Sequence, residues 1–541
     1  MEALRLCENA KVDFASAFRY QYVASPKPMD VPGFSVATLG AYYIYSGPDL
    51  RSCPLVDGSG TTFGLVLGIA VDHDGCTAED ALPDLISKAS AVKAQATLER
   101  YLTKLAGRYA IFVNISGRLL FYCDPVGMIG AVYAAETRRI GSSPTLCIDR
   151  PYEDNPRYDV KMIADGKAMY GFDHTRDLHV LRMNANHRMD LKEFVTTRFW
   201  PRDDDVFGLE QAEYGAAFDE MIAAERRIID RITTLGTTVI PLSGGNDSRM
   251  ILALTEAETR KRVALYYTHI NNYSGRRDAD LGQQLASQLD LPHEKHDHKT
   301  AKTDPAAVAL AAKAFAIASG GLGACPAEIA NGLYQLLPKD AIILRGHQCN
   351  ILRAQYVRFS DPDRWTDPMW HIRWMRLLPS ESFGPRQRQK FVPDFMRFYN
   401  DIPKPARARS ADFFFFEALV PAALGHVFPG LSHAFYMSPF NSRRLVQLVM
   451  GFDTAYRMSN NGTHDLLMRA EPRLGTLPFL ADLEADMTES PEQYENRMGR
   501  MAETAERYRR WFAQDMPVAA IKRYVRQSPD ATEQTETAGM A

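Results

Sequence analysis

In roughly the first two hundred residues, apolar positions fall in short runs separated by turn residues, as in Thr62–Val71, Ala110–Val113 and Leu119–Tyr122. Runs of that length predict antiparallel strands in a β-rich unit reaching to about Asp205. Between them, Ala81 to Leu105 carries helical spacing. From Phe207 to about Leu235 the recurrence of Phe218, Ile222, Ile229 and Ile232 predicts an amphipathic helix packed on a second domain. The β-branched run Thr238–Leu242 then stops at Ser243-Gly244-Gly245, and Met250–Leu254 resumes with a helix-compatible pattern: strand, tight loop, helix. Val263–Thr268 predicts a second buried strand, Asp278–Leu289 a helix and Ala341–Leu344 a further strand. This alternation implies a parallel sheet with ligands at the carboxyl ends of its strands. The expected class is therefore multidomain α/β. An antiparallel unit spans 1–205, with Asp203-Asp-Asp205 at its boundary, and a doubly wound parallel unit with a helical C-terminal part spans 206–526. Residues 527–541 form a disordered tail, preceded by a charged helical pattern over Glu484 to Arg526.

The loop after the first parallel strand has its own chemistry. Backbone N–H groups at a helix start are unpaired, and the helix dipole favours an anion there. Gly244 and Gly245 let the chain approach a phosphate closely, while Ser243 and Ser248 add hydroxyl donors. Asp247 beside a phosphate calls for a bridging cation, and Mg²⁺ prefers hard oxygen ligands of this kind.

Composition narrows the function classes. The 541 residues exceed a single core, and a net charge of −3 argues against a general polyanion or nucleic-acid binder. Seven scattered cysteines without a C-x-x-C predict reduced thiols in a cytoplasmic setting and no structural zinc. No apolar stretch has the length of a membrane span, and none near the start has the form of a signal peptide. His293, His296 and His298 read as a solvated loop, and the basic stretch Arg386 to Arg409 as solvated helix faces.

The loop Ser243-Gly-Gly-Asn-Asp-Ser248 resembles the S-G-G-x-D-S pyrophosphate loop of the ATP pyrophosphatase superfamily, which includes the asparagine synthetase-like enzymes. That resemblance implies ATP and Mg²⁺ held by Leu242, Ser243, Gly244, Gly245, Asn246, Asp247 and Ser248, with Tyr267, Thr268 and Gly346 near adenine and ribose. Upstream, Gly107–Val113, Phe121–Gly127, Ala131–Tyr133 and Gly141–Pro144 resemble the αββα glutaminase domain of class II amidotransferases. Leu181–Asp190 and Arg198–Pro201 resemble its linking segment. Those enzymes use an N-terminal cysteine nucleophile, and here the chain opens Met1-Glu2, with Cys7 further along. The expectation is an amidotransferase-like scaffold without glutamine hydrolysis.

Leu344–Arg353 sits where asparagine synthetases have S-G-E-G-x-D-E-L-F, which places His347 at the acidic position and Asn350 at the metal-binding aspartate. His347 then orients a substrate, acts as base toward an amine, or bonds to backbone. Glu417, in the aromatic run Asp412–Glu417, is either paired or an acid/base with a raised pKa. Ser438–Leu445 resembles the family segment V-P-F-L-D-x-R-L, and Asp465–Arg469 resembles K-x-x-L-R with Asp465 in place of the lysine. Arg249, Arg353 or Arg469 are the candidates to replace that charge.

Together these resemblances imply an ATP-dependent ligase that adenylates a small-molecule, peptide or saccharide carboxylate and passes the acyl group to ammonia or an amine, with a homodimer as one assembly open to it. The expected catalytic residues are His347, Glu417 and Arg469, with Asp247 and Asn350 as metal ligands. A nucleotide-binding pseudoenzyme and a peptide macrocyclase of the lasso cyclase type are the alternatives.

Overall fold

The computed structural model of the chain describes residues 1–271, 273–354, 371–372, 389–422, 427–477 and 479. The predicted charged helix over Glu484 to Arg526 and the tail 527–541 lie outside these residues. Strands β1 (Tyr22–Ser25), β2 (Ser35–Leu39), β3 (Tyr42–Ser46), β4 (Ser52–Val56), β5 (Thr62–Val71), β6 (Ala106–Ile115) and β7 (Arg118–Cys123) are followed by β8 (Val132–Ala134), β9 (Arg139–Gly141), β10 (Val180–Arg182), β11 (His187–Asp190) and β12 (Val195–Arg198). They form two six-stranded antiparallel sheets, ordered β10-β8-β9-β1-β3-β2 and β12-β11-β7-β6-β5-β4.

Alternation along β1 shows how the layers are made. Tyr22 points between the sheets, its ring 6.0 Å from Phe112 of β6 and 6.1 Å from Phe121 of β7. Val23 faces outward into a cluster with Cys7, Phe14, Phe18 and Leu146, contributed by the helices Glu2–Ala10, Phe14–Ala17 and Pro144–Cys147. The other sheet is covered by Ala78–Ser87 and Ala94–Leu102, which bury Leu82, Leu98 and Leu102. The helical spacing over Ala81 to Leu105 thus belongs to two helices, parted by a tight turn in which Lys93 N–H donates to the Ser90 carbonyl at 2.8 Å.

After the Tyr214–Ile232 helix come β13 (Thr238–Pro241), β14 (Leu265–Ile270), β15 (Glu294–Asp297), β16 (Ile342–Leu344) and β17 (Phe435–Met437). All pair in parallel, in the order β15-β14-β13-β16-β17. The order reverses at β13, so the crevice beyond β13 and β16 is the topological switch point where open parallel sheets bind ligands. Between β14 and β15 the helix runs Tyr273–Ser287, starting earlier than the apolar spacing predicts.

One expectation fails here. His293, His296 and His298 do not form a solvated loop: β15 carries His296, buried at 6 % exposure, against His269 of β14. Glu294-Lys-His-Asp is an edge strand without an apolar run, so ladder pairing rather than composition decides it. The described part of the basic stretch after Arg386 is engaged internally as well, with Arg397 on Asp173 and Asp394 and Arg409 on the Phe207 carbonyl.

The antiparallel and parallel parts share one continuous apolar core, and fully buried arginines fasten them together. Arg443 donates to the carbonyls of Ala185 (2.7 Å) and Cys123 (3.0 Å) and to Asn186 Oδ1 (2.7 Å). Arg108 donates to the carbonyls of Phe428 and Tyr436. Asn441 Nδ2 bridges the Gly107 carbonyl and Asp124 Oδ1, both at 2.7 Å. Asp124 also accepts from Met128 and Ile129 N–H, which closes the Asp124–Gly127 turn. Ser438–Leu445 is therefore the strap that docks the parallel sheet onto the sandwich.

Glu417 belongs to the same interface. Its carboxylate takes both arms of the Arg198 guanidinium at 2.7 and 2.8 Å, together with Asn184 Nδ2 (3.0 Å) and Asn186 Nδ2 (2.8 Å). Five donors would exceed its capacity, and these four fill it with partners from the antiparallel part. No helix among the described residues is long and apolar enough to cross a membrane. Removing one partner of such a pair strands a buried charge, so Glu417→Ala is expected to lower unfolding free energy by about 3–5 kcal/mol in chemical denaturation.

Candidate functional site

The Ser243–Ser248 loop leaves β13 at its carboxyl end, where Leu242 N–H donates to the Tyr267 carbonyl at 2.7 Å and Thr268 Oγ1 to the Leu242 carbonyl at 2.7 Å. Its shape is fixed from within. Ser248 Oγ receives Ser243 N–H at 3.0 Å and lies 2.9 Å from Ser243 Oγ, while Gly245 N–H reaches Ser243 Oγ at 3.3 Å. Gly244 N–H donates to Asp278 Oδ1 at 3.0 Å. The helix Asn246–Leu254 begins at Gly245 with no side-chain cap among the described residues, which leaves its first-turn N–H groups uncapped there.

Asp247 and Gly346 meet directly. A Cβ at Gly346 would lie 2.4 Å from the Asp247 carbonyl oxygen, so only glycine lets the end of β16 approach the loop helix this closely. Burial raises the Asp247 carboxyl above its usual range, with Arg353 pulling the other way. Arg353 Nη2 donates to Asp247 Oδ1 at 2.9 Å and also to Asn350 Oδ1. The two expected metal ligands thus converge on one guanidinium.

The other expected positions are distributed differently. Of the three arginines considered for the missing lysine, Arg353 alone sits at the loop. Arg249 is fully buried and donates to the carbonyls of Leu474 and Leu477. Arg469 is half-exposed and pairs with Asp219 of the Tyr214–Ile232 helix at 3.3 Å. Asp465 accepts from the Tyr456 hydroxyl. Glu417 faces the interface described above, with both carboxylate oxygens bonded there.

His347, one residue past Gly346, lines a cavity of about 340 Å³ with Pro241, Tyr267, His269, Arg345 and Phe428. Its ring stands edge-on to Phe428 at 5.2 Å, and Nδ1 is buried without a partner among the described residues, so it does not bond to backbone there. Burial, with Arg345 beside it, pushes its pKa down to about 3. A ring held neutral so far down the pH scale is a weak base.

Asp247 and Asn350 supply a carboxylate and an amide oxygen, donors of the hard kind Mg²⁺ takes, but they converge on Arg353 Nη2, so an ion there would have to displace that guanidinium. A three-ligand acidic and imidazole cluster lies elsewhere, at Asp173, His174 and Asp394. Arg157 and Arg397 already pair with its carboxylates. Sequence reasoning missed Asp278, Glu328 and His269, none of which stands in a motif. Arg345 directly precedes Gly346 and was the one signal on hand. Compared with known proteins, the chain matches no protein-family model and no curated protein.

Gly346→Ala, by displacing the Asp247 backbone, is expected to lower the melting temperature and disorder the loop, read by amide exchange at Ser243–Ser248. Burial also pushes His433 down to about 4. Histidines whose pKa falls on folding favour the folded state above their ordinary value of 6.5, and that contribution is lost as the pH drops below it, levelling off under the folded pKa. The melting temperature should therefore fall between pH 6.5 and about 4, with a shallower slope in His433→Gln.

Proposed function

We propose that this chain is an ATP-dependent carbon–nitrogen ligase of the asparagine synthetase-like kind, working in the cytoplasm on a small-molecule, peptide or saccharide carboxylate. The observation that carries this reading is the Ser-Gly-Gly-Asn-Asp-Ser loop at the switch point of a parallel sheet, opening a helix whose Asp247 abuts Gly346. ATP is a substrate. Its phosphates lie on Ser243 to Ser248, and its adenine and ribose lie against the backbone of Tyr267, Thr268 and Gly346. A carboxylate oxygen attacks the α-phosphorus, the bond to the β-phosphate oxygen breaks and pyrophosphate leaves. The amine nitrogen then attacks the acyl carbon, the carbon–oxygen bond to AMP breaks, AMP departs and the proton the amine gives up passes to solvent. Asp247 and Asn350 would hold Mg²⁺ once the Arg353 guanidinium that now bonds to both moves aside, and the ion would supply neutralisation of phosphate charge. The loop N–H groups and hydroxyls orient the phosphates, the displaced Arg353 contributes positive charge beside them, and His347 orients the acyl group.

Glutamine is not the nitrogen source in this reading. Cys7 is buried at 2 % exposure in the first helix, and burial pushes its thiol up to about 11. The space between the antiparallel sheets around Tyr22 is filled by Phe112 and Phe121. Ammonia or a second amine is the acceptor, and the antiparallel part serves as a scaffold.

One observation favours a second reading, a nucleotide-binding pseudoenzyme: Arg353 already neutralises Asp247 and bridges it to Asn350. Pyrophosphate release from Mg-ATP with pooled carboxylates and amines separates the two. A ligase gives release that depends on a carboxylate and drops about 100-fold or more in Asp247→Ala. ATP binding without turnover across the pool would instead favour the pseudoenzyme.

A further inference from the structure

The cavity beside His347 contains a charge arrangement that the loop chemistry does not use. Glu328 is buried at its centre. Glu328 Oε2 accepts from Arg345 Nη2 at 2.7 Å, and Oε1 accepts from the Tyr436 hydroxyl at 2.6 Å. His269 Nδ1 lies 3.9 Å from Oε2, and His433 Nε2 lies 3.8 Å from Oε1. Burial works against the carboxylate, but Arg345 and the surrounding imidazoles outweigh it and hold Glu328 ionised.

Two groups remain for a ligand. The Arg345 side chain, held from behind by Glu328 and stacked 4.7 Å from the Tyr436 ring centre, is still 31 % exposed and lines the cavity. The His269 side chain is only 8 % exposed, yet Nε2 has no partner among the described residues. Because Nδ1 is the nitrogen that faces Glu328, Nε2 presents a lone pair. Phe428, Leu431 and Pro326 supply an apolar wall, and about 340 Å³ is at the lower end for small-molecule pockets, roughly 300–1,000 Å³. The Glu328–Arg345 pair is neutral as a unit, which suits a single carboxylate better than a polyphosphate.

We propose that this cavity binds a small organic carboxylate bearing an amino or hydroxyl hydrogen, its carboxylate on Arg345, its N–H or O–H on His269 Nε2 and its apolar body against Phe428 and Leu431. The proposal deepens the ligase reading by giving one of its two organic substrates a place, and it rests on that reading only for the ligand's role, since the binding itself needs no nucleotide. Arg345 and His269 act as specificity-determining residues.

The test is isothermal titration of the full-length protein, without ATP, with 3-phenyllactate, tyrosine and glutamate as probes. 3-Phenylpropionate, which lacks the donor, and 2-phenylethylamine, which lacks the carboxylate, are the matched controls. At least one probe is expected to bind, and its affinity should fall about tenfold or more in Arg345→Gln and in His269→Phe. Arg345→Gln strands Glu328 and threatens folding, so Ala327→Phe, at an exposed position on the cavity rim, is the second variant: it fills the space and should block binding while the melting temperature holds. No binding by any probe at millimolar concentration overturns the proposal. So does binding that survives Ala327→Phe, or competition by ATP that makes the cavity the nucleoside pocket. ATP titrated in parallel into wild type and Asp247→Ala keeps the readings apart. Absent ATP binding by the wild type, or ATP binding that Asp247→Ala leaves unchanged, together with retained probe binding sinks the ligase reading alone; ATP binding that Asp247→Ala abolishes, with no probe binding, sinks the cavity reading alone.

Discussion

A guanidinium cannot be buried without oxygen atoms to receive its protons, and this requirement joins the two halves of the molecule. Arg443 and Arg108 are fully buried, and both find their acceptors across the boundary between the sandwich and the parallel sheet. Arg198 does the same with Glu417. Apolar packing alone tolerates sliding, whereas directed bonds to particular carbonyls set one register. The strap from Ser438 to Leu445 follows β17 immediately, so fixing the strap also fixes that edge of the parallel sheet. The position of β16, and with it Gly346 against Asp247, depends on that docking.

The loop itself is organised by a second balance of charge. Asp247, Asn350 and Arg353 form a closed unit in which one cation serves two oxygens. An arginine differs from a metal ion there in that it is tethered, planar and limited to hydrogen-bond geometry. Across Gly346 the Glu328 cluster repeats the theme, with a carboxylate stabilised by an arginine and neutral imidazoles. Two internally neutral pairs thus flank the carboxyl end of β16, one at the Ser243–Ser248 loop and one at the cavity.

Local pattern was informative wherever local chemistry decides the structure. The run Thr62–Val71 is β5 to the residue, and the strand, loop and helix around Ser243 follow their turn glycines and apolar spacing. The close approach at Gly346 was anticipated only as a backbone contact to nucleotide, while its contact with Asp247 is tertiary. Strand β15 was missed because an edge strand pairs through its backbone and Glu294-Lys-His-Asp shows no apolar period. Strand β17 is three residues long and carries no pattern of its own. The burial of Glu417 was legible in its aromatic neighbours, but its partners lie more than two hundred residues away in sequence. Asp278 and Glu328 have the same limitation, since a carboxylate in a helix announces nothing about what it faces.

The bond from Gly244 N–H to Asp278 Oδ1 has a consequence for selectivity. The chain keeps a carboxylate of its own on that backbone N–H, so in the proposed ligase an incoming anion would exchange with an internal mimic rather than fill an open cradle. Exchange penalises weak guests: a chloride or acetate replaces one negative oxygen with another and gains little, whereas a chelating polyphosphate makes several contacts for the one it displaces. In the proposed ligase, discrimination by valence would thereby precede any sensing of nucleobase or sugar.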